Sequence, residues 1–135
     1  MRNSLRTDQC LNENKDNAEV KDCPAFLALS LIANKWSIRI LHTLLSQDTH
    51  TLRFNQIQKS LDNITQRELT KQLREFERSG LVVRKVYPVV PPRVGYTITT
   101  LGQSLWEPIE QLSAWADKHA AKIQKHRADF NEKSQ

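Results

Sequence analysis

At 135 residues the chain holds one compact domain and little more, and a hydrophobic content of 39% supports a modest core. No apolar run approaches the roughly 20 residues that span a bilayer, and the polar stretch 1–22 lacks the apolar centre of a secretory leader, so the cytoplasm is expected and a membrane is not. The formal net charge is +5. Between Asn34 and Ile98 lie eleven Lys/Arg against five Asp/Glu, whereas the rest of the chain carries nine against ten. The whole positive excess therefore sits in the middle, which suits a polyanionic partner.

Residues 1–22 are polar and charged and read as a mobile tail. Order is expected from Cys23-Pro24, because proline fits the first turn of a helix. The segment Ala25–Ala33 is apolar nearly all round, which predicts a helix buried on several sides, in the core and against another subunit. Asn34 is placed to cap a second helix carrying Trp36, Ile40, Leu41, Leu44 and Leu45 on one stripe. A polar loop over 46–50 leads to a short helix over Arg53–Leu61 with Phe54, Ile57 and Leu61 inward. After a tight turn at Asp62-Asn63-Ile64, Thr65-Gln66-Arg67-Glu68 is a capping box, the clearest local signal in the chain. Its helix places Leu69, Leu73 and Phe76 on one face and ends at Ser79-Gly80.

Leu81–Tyr87 is rich in β-branched residues and reads as a strand, Pro88–Pro92 as a stiff turn, and Val94–Ile98 as the returning strand. Thr99 or Thr100 starts a last helix with Leu101, Leu105, Ile109, Leu112 and Trp115 at helical spacing. Pro108 is expected to kink or divide it. From Lys118 onward the chain turns polar and is expected to fray. The organisation is thus a tail over 1–22, a domain over 23–117 and a polar extension over 118–135. The class is α+β, mainly helical: short helix, tight turn, capped helix and basic hairpin are the parts of a winged helix-turn-helix.

With Leu69, Leu73 and Phe76 inward, the capped helix turns Gln66, Arg67, Thr70, Lys71 and Arg74 outward. Arg can bind guanine bidentately, Gln can do so with adenine, and Lys or Thr can hold phosphate. Any one of these side chains could simply be a solvated helix face; the turn before and the hairpin after favour DNA recognition. Arg53, Arg84, Lys85 and Arg93 supply cations for the phosphate backbone, the last three flanking the proline-stiffened tip.

Cys23 stands at a helix start, where the dipole lowers a thiol pKa. It reads equally as a small packing residue. Cys10 lies in the tail. His42, His50, His119 and His126 show no metal-ligand spacing, and with three glycines in all the chain carries no phosphate-binding loop. No metal, no cofactor and no enzymatic activity are expected; a thiol enzyme lacks a base near Cys23 in sequence. Trp36, Trp106 and Trp115 lie on apolar stripes and belong to core or interface.

Cys23-Pro24, Asn34-Lys35-Trp36, Arg53-Phe54, Ile64-Thr65, Leu69-Thr70 and Leu73-Arg74, taken in this order, resemble the HxlR-type regulators. Gly80-Leu81-Val82, Arg84, Tyr87-Pro88, Pro91-Pro92-Arg93-Val94, Tyr96, Leu101-Gly102, Leu105 and Trp115 extend the resemblance over about residues 23–116. It implies a dimeric winged-helix transcription factor whose terminal helices make the dimer, here through Leu27, Leu31, Leu105, Ile109, Leu112 and Trp115. Some members sense oxidants or electrophiles through a cysteine matching Cys23. Two positions depart from the pattern: Gly95 stands where an acidic residue is usual, and Thr65 replaces a serine.

The expected function is transcription regulation by a homodimer on a pseudo-palindromic double-stranded operator, with recognition helices about 34 Å apart, and with a small-molecule or oxidant effector. The competing reading is a protein-interaction adaptor on the same fold, without DNA binding.

Overall fold

The structure, a computed structural model, describes residues 23–134; the expected tail and Cys10 lie outside them. The elements run α1 (Pro24–Ile32), α2 (Ser37–Leu45), β1 (Thr51–Arg53), α3 (Phe54–Ser60), α4 (Gln66–Arg78), β2 (Val82–Tyr87), β3 (Arg93–Ile98), α5 (Thr100–Ser104) and α6 (Trp106–Lys133). The three strands form one antiparallel sheet in the order β1-β3-β2. This is a mainly helical winged-helix fold.

The core is built from the stripes the periodicity marks. Ile40, Leu41 and Leu44 of α2, Ile57 of α3 and Leu69, Leu73 and Phe76 of α4 are buried around Val82, Tyr96 and Ile98 of the sheet. Asn34 starts α2 as expected: its Oδ1 accepts from the backbone N–H groups of Trp36 and Ser37, both at 2.9 Å, and its amide donates to the buried Ser37 hydroxyl. The Thr65–Glu68 box closes in both directions, with Glu68 N–H on Thr65 Oγ1 at 3.0 Å and Thr65 N–H on the Glu68 carboxylate at 3.4 Å. Gly80 ends α4 at φ +77°, the left-handed region that favours glycine, and Leu81 N–H donates back to the Phe76 carbonyl.

Three expectations are corrected. The first is α1, which has no buried residue within the chain: only Leu31 and Ile32 reach the core, while Phe26, Leu27 and Leu29 face outward. Second, the segment before α3 is a strand. Thr51–Arg53 pairs with Gly95–Thr97, and the Thr51 and Thr97 hydroxyls hydrogen-bond at 2.7 Å, a partner 46 residues away that local pattern does not reveal.

The expected division of the last helix is present: it divides at Leu105, and Pro108 sits in the first turn of α6. Proline has no N–H to offer the carbonyl four residues back, that of Ser104, and the first turn of a helix is where that lack is tolerated. Third, α6 does not fray at Lys118 but runs unbroken to Lys133. Its alanines, lysines and glutamine are strong helix formers, and polarity alone does not end a helix.

The joint between wing and last helices is tight. Thr99 Oγ1 donates to the Gly80 carbonyl at 2.7 Å and accepts from Gly102 N–H at 3.1 Å. A Cβ on Gly102 would lie 2.3 Å from the Leu81 carbonyl oxygen and 2.7 Å from Ile98 Cγ1.

These contacts give a stability prediction. Thr65→Ala is expected to cost about 1 kcal/mol and Thr65→Ser far less, since the serine keeps the capping hydroxyl. Gly102→Ala is expected to cost about 1–3 kcal/mol by forcing backbone apart. Urea unfolding followed by circular dichroism measures all three; a Thr65→Ala midpoint equal to wild type would show that the box contributes nothing.

Candidate nucleic-acid interface

Helix α4 is held from behind and open in front. Leu69, Leu73 and Phe76 fix its rotation in the core, and the four-three spacing of those residues leaves Gln66, Arg67, Thr70, Lys71 and Arg74 exposed. These five side chains line one shallow concave strip along the helix, bordered by Glu75. Glu75 is drawn to Arg78 at 2.7 Å, which holds its carboxyl below the usual carboxylate range through the hydrogen bond and the charge, and holds the guanidinium above its own. Both groups are fully exposed, so the pair is screened by water and serves to turn the one carboxylate of the strip away along the helix. Among the described residues no ion pair engages Arg67, Lys71 or Arg74.

A second basic site lies at the wing. Arg53, at the end of β1, starts α3 with an extended backbone, and its N–H is held by the Gln56 side chain at 2.9 Å. The turn 88–92, with a cis Val90–Pro91 bond, brings Pro91, Pro92 and Arg93 over the same helix. Arg53, Asn55, Gln56, Lys59 and Arg93 consequently share one cleft that no carboxylate lines. Three cations and two amides converge there, a set that suits the oxygens of a phosphate.

Strand register sorts the remaining candidates. Arg53 pairs with Gly95, Lys85 with Gly95 and Tyr87 with Arg93, so Arg53, Lys85 and Arg93 share one face of the sheet. Arg84 pairs with the buried Tyr96 and stands on the opposite face. The structure therefore groups Lys85 with the wing cations and separates Arg84 from them. Gly95 also explains a local contact: an added Cβ would lie 3.0 Å from Tyr87 Cε2, so the glycine lets the Tyr87 ring lie over the strand, with Lys85 Nζ 5.3 Å from the ring centre.

Lys59, Asn55 and Gln56 are the candidates that sequence reasoning missed. Their proximity to Arg93 depends on the wing folding back over α3. The exposed position of Lys59 in the last turn of a short helix was the one available signal.

The expected interface residues fall into two groups. Leu27, Leu112 and Trp115 are about half exposed, at 58%, 54% and 59%. Leu31 and Leu105 are half-buried against the core, and Ile109 is buried inside it at 5% exposure. Ile109 thus packs within its own chain, in the core cluster, and it is withdrawn from the interface set. Cys23 is buried at the start of α1, with its carbonyl accepting from Leu27 N–H at 2.9 Å. Among the described residues no cluster of His, Cys, Asp and Glu could hold a metal ion, and no helix is long and apolar enough to cross a membrane.

Comparison with known proteins agrees with this architecture. The family model described as HxlR-like helix-turn-helix matches residues 31–124. The HTH-type transcriptional regulator YdeP of Bacillus subtilis is 38% identical over 107 residues, covering 79% of this chain and 81% of that protein. Among solved structures, the reduced form of the transcriptional regulator YodB from B. subtilis superposes with a TM-score of 0.64 at 34% identity, over 71% of this chain and 92% of that one. The redox regulator HypR in its reduced form gives 0.66 at 33% identity, over 76% and 98%. With a family match across most of its length on a winged-helix fold, the chain belongs to the HxlR-like helix-turn-helix family of transcriptional regulators.

Proposed function

We propose that this regulator binds double-stranded DNA as a homodimer on a pseudo-palindromic operator. One observation carries the proposal: α4 is fixed by its apolar side while Gln66, Arg67, Thr70, Lys71 and Arg74 stand exposed in one row. A helix of this width fits the major groove of B-DNA. Arg67 and Gln66 lie in its first turn, where side chains reach base edges, and Thr70, Lys71 and Arg74 lie farther along, toward the sugar-phosphate wall. The cleft of Arg53, Lys59 and Arg93 holds a backbone phosphate, with Lys85 beside it on the same sheet face. Arg84 has a smaller part, since it points to the other face.

Two copies meet through the apolar surface the single chain leaves uncovered, on Leu27 of α1 and on Leu112 and Trp115 of α6. Cys23 lies at the foot of α1. Its sulfur is held in a disulfide in this structure, and a change in that oxidation state alters bulk and polarity beside the helix and so the spacing of the two recognition helices. Support for a thiol response comes from the structural neighbours named as redox regulators.

Removing a phosphate contact should act on every duplex alike. Lys59→Ala, Lys71→Ala and Arg93→Ala are each expected to weaken binding to operator and random duplex and to lower the salt slope by about one. Fluorescence anisotropy across a salt series measures this. Duplex affinity with no salt dependence would exclude the phosphate contacts, and no duplex affinity at all would favour an adaptor that docks partners on the exposed Val86, Val89 and Val90 of the wing.

Removing a base contact should act on the operator alone. Arg67→Ala is expected to cost about 1–3 kcal/mol on an operator selected from random duplex and much less on other sequences. Equal losses on both would reduce Arg67 to a phosphate contact.

Thiol chemistry has its own control. Reduction with dithiothreitol, followed by reoxidation with diamide, is expected to change operator affinity of the wild type and leave Cys23→Ser unmoved, with circular dichroism unchanged in both. An identical response from the two proteins would place the effector elsewhere.

A further inference from the structure

The sheet face beside the wing has a bare position between two cations. Gly95 is the cross-strand partner of Arg53 on one side and of Lys85 on the other. Side chains directly opposite one another on antiparallel strands are close enough for charges to pair. Gly95 offers none, and among the described residues no ion pair engages either cation. The half-buried Tyr87 ring takes the space instead: its Cε2 and hydroxyl would lie 3.0 and 3.6 Å from a Cβ at position 95. An acidic residue there would displace the ring and neutralise both cations.

Tyr87 lines a cavity of about 280 Å³ between the wing and β1. Leu52 and Val89 add apolar surface, Arg53, Arg93 and Gln56 add donors, and no carboxylate lines it. The Gln56 side-chain oxygen accepts from Arg53 N–H at 2.9 Å, which leaves its amide nitrogen to donate. Guanidinium groups match a carboxylate with two parallel hydrogen bonds. An aromatic ring and aliphatic side chains suit a flat apolar body. The volume is at the low end of ligand cavities, so it suits one small ring and not a nucleotide.

We infer that this cavity binds a small organic monocarboxylate with a flat apolar body, and that the bound carboxylate withdraws Arg53 and Arg93 from DNA. The second half rests on the phosphate cleft proposed above, because Arg53, Gln56 and Arg93 line both cavities. A guanidinium engaged by a carboxylate has fewer donors left for a phosphate, and the ligand brings a negative charge beside the DNA backbone. Ligand and phosphate therefore compete, and each lowers the affinity for the other by the same factor. Inorganic phosphate has the charge but no body to set against Tyr87, Leu52 and Val89.

Isothermal titration calorimetry of the full chain with sodium benzoate tests the cavity, and duplex anisotropy with and without benzoate tests the competition. Benzamide, inorganic phosphate and sodium chloride at matched ionic strength are the controls. Benzoate is expected to bind once per chain and, at saturation, to weaken duplex binding at least about tenfold beyond chloride; benzamide and phosphate are expected to do neither. Tyr87→Ala, which removes the ring, and Gly95→Asp, which sets a carboxylate against Arg53, are each expected to lower benzoate affinity at least about tenfold. Tyr87→Ala is expected to keep wild-type duplex affinity, which also shows that it folds. Benzoate binding matched by phosphate, or unchanged in both variants, would overturn the cavity assignment. Benzoate binding that spares the duplex would overturn the competition. No benzoate binding by a wild type that holds duplex would overturn the inference and leave the proposed function standing. A wild type without duplex affinity would overturn that function and the competition together, and the calorimetry would still decide the cavity.

Discussion

Every contact proposed for α4 depends on how that helix is held, and that is settled by two kinds of interaction at once. The Thr65–Glu68 box satisfies backbone groups at the helix start and fixes where the first turn begins. Leu69, Leu73 and Phe76, nearly without exposed surface, fix its rotation. With start and rotation set, the directions of Gln66, Arg67, Thr70, Lys71 and Arg74 follow from helix geometry alone. The outward side chains spend no binding free energy on ordering the backbone beneath them, which is the gain of a preorganised surface.

The wing is positioned by longer-range means. Its strand β3 pairs with β1, which leads directly into α3, and this places the tip over Lys59. At its base Thr99 spans from the end of α4 to the start of α5, and Gly102 allows the Leu81 carbonyl to approach where no side chain fits. The exposed strip of α4 and the basic cleft at the wing are therefore joined through backbone hydrogen bonds and close packing. A proline-rich turn alone would leave the cations on a hinge.

What was legible in the sequence was whatever is encoded locally. The capping box, the α4 stripe, the glycine stop and the hairpin are each local in the chain, the longest of them running only from Val82 to Ile98, and each appears in the structure where pattern places it. The β1 strand was not legible, because three residues carry no periodicity and their pairing partner lies 46 positions on. The cleft at Lys59 was hidden for the same reason. The end of α6 departs from expectation for another reason: polar composition alone does not end a helix, and an alternation of four- and three-residue steps from Leu105 persists through His119 and His126 to Phe130. A histidine in a seam lowers its apolarity without changing its period.

The apolar surface left open on this chain connects folding with assembly. A domain this small buries a limited share of its surface, and here α1 contributes almost none of its apolar side chains to the core. In the proposed dimer that surface is covered, so stability would rise with protein concentration as binding of the native state shifts the folding equilibrium. The same arrangement places Cys23 at the junction of the two. It is buried where α1 begins, so in that proposed dimer a change at its sulfur would act on a helix whose main packing partner is the other subunit. A modest change in that packing would then be felt at both α4 helices together, because each is rigidly joined to its own core through Leu69, Leu73 and Phe76. Rigidity within each subunit and pliancy between them would let a local change at sulfur alter the spacing of two distant helices.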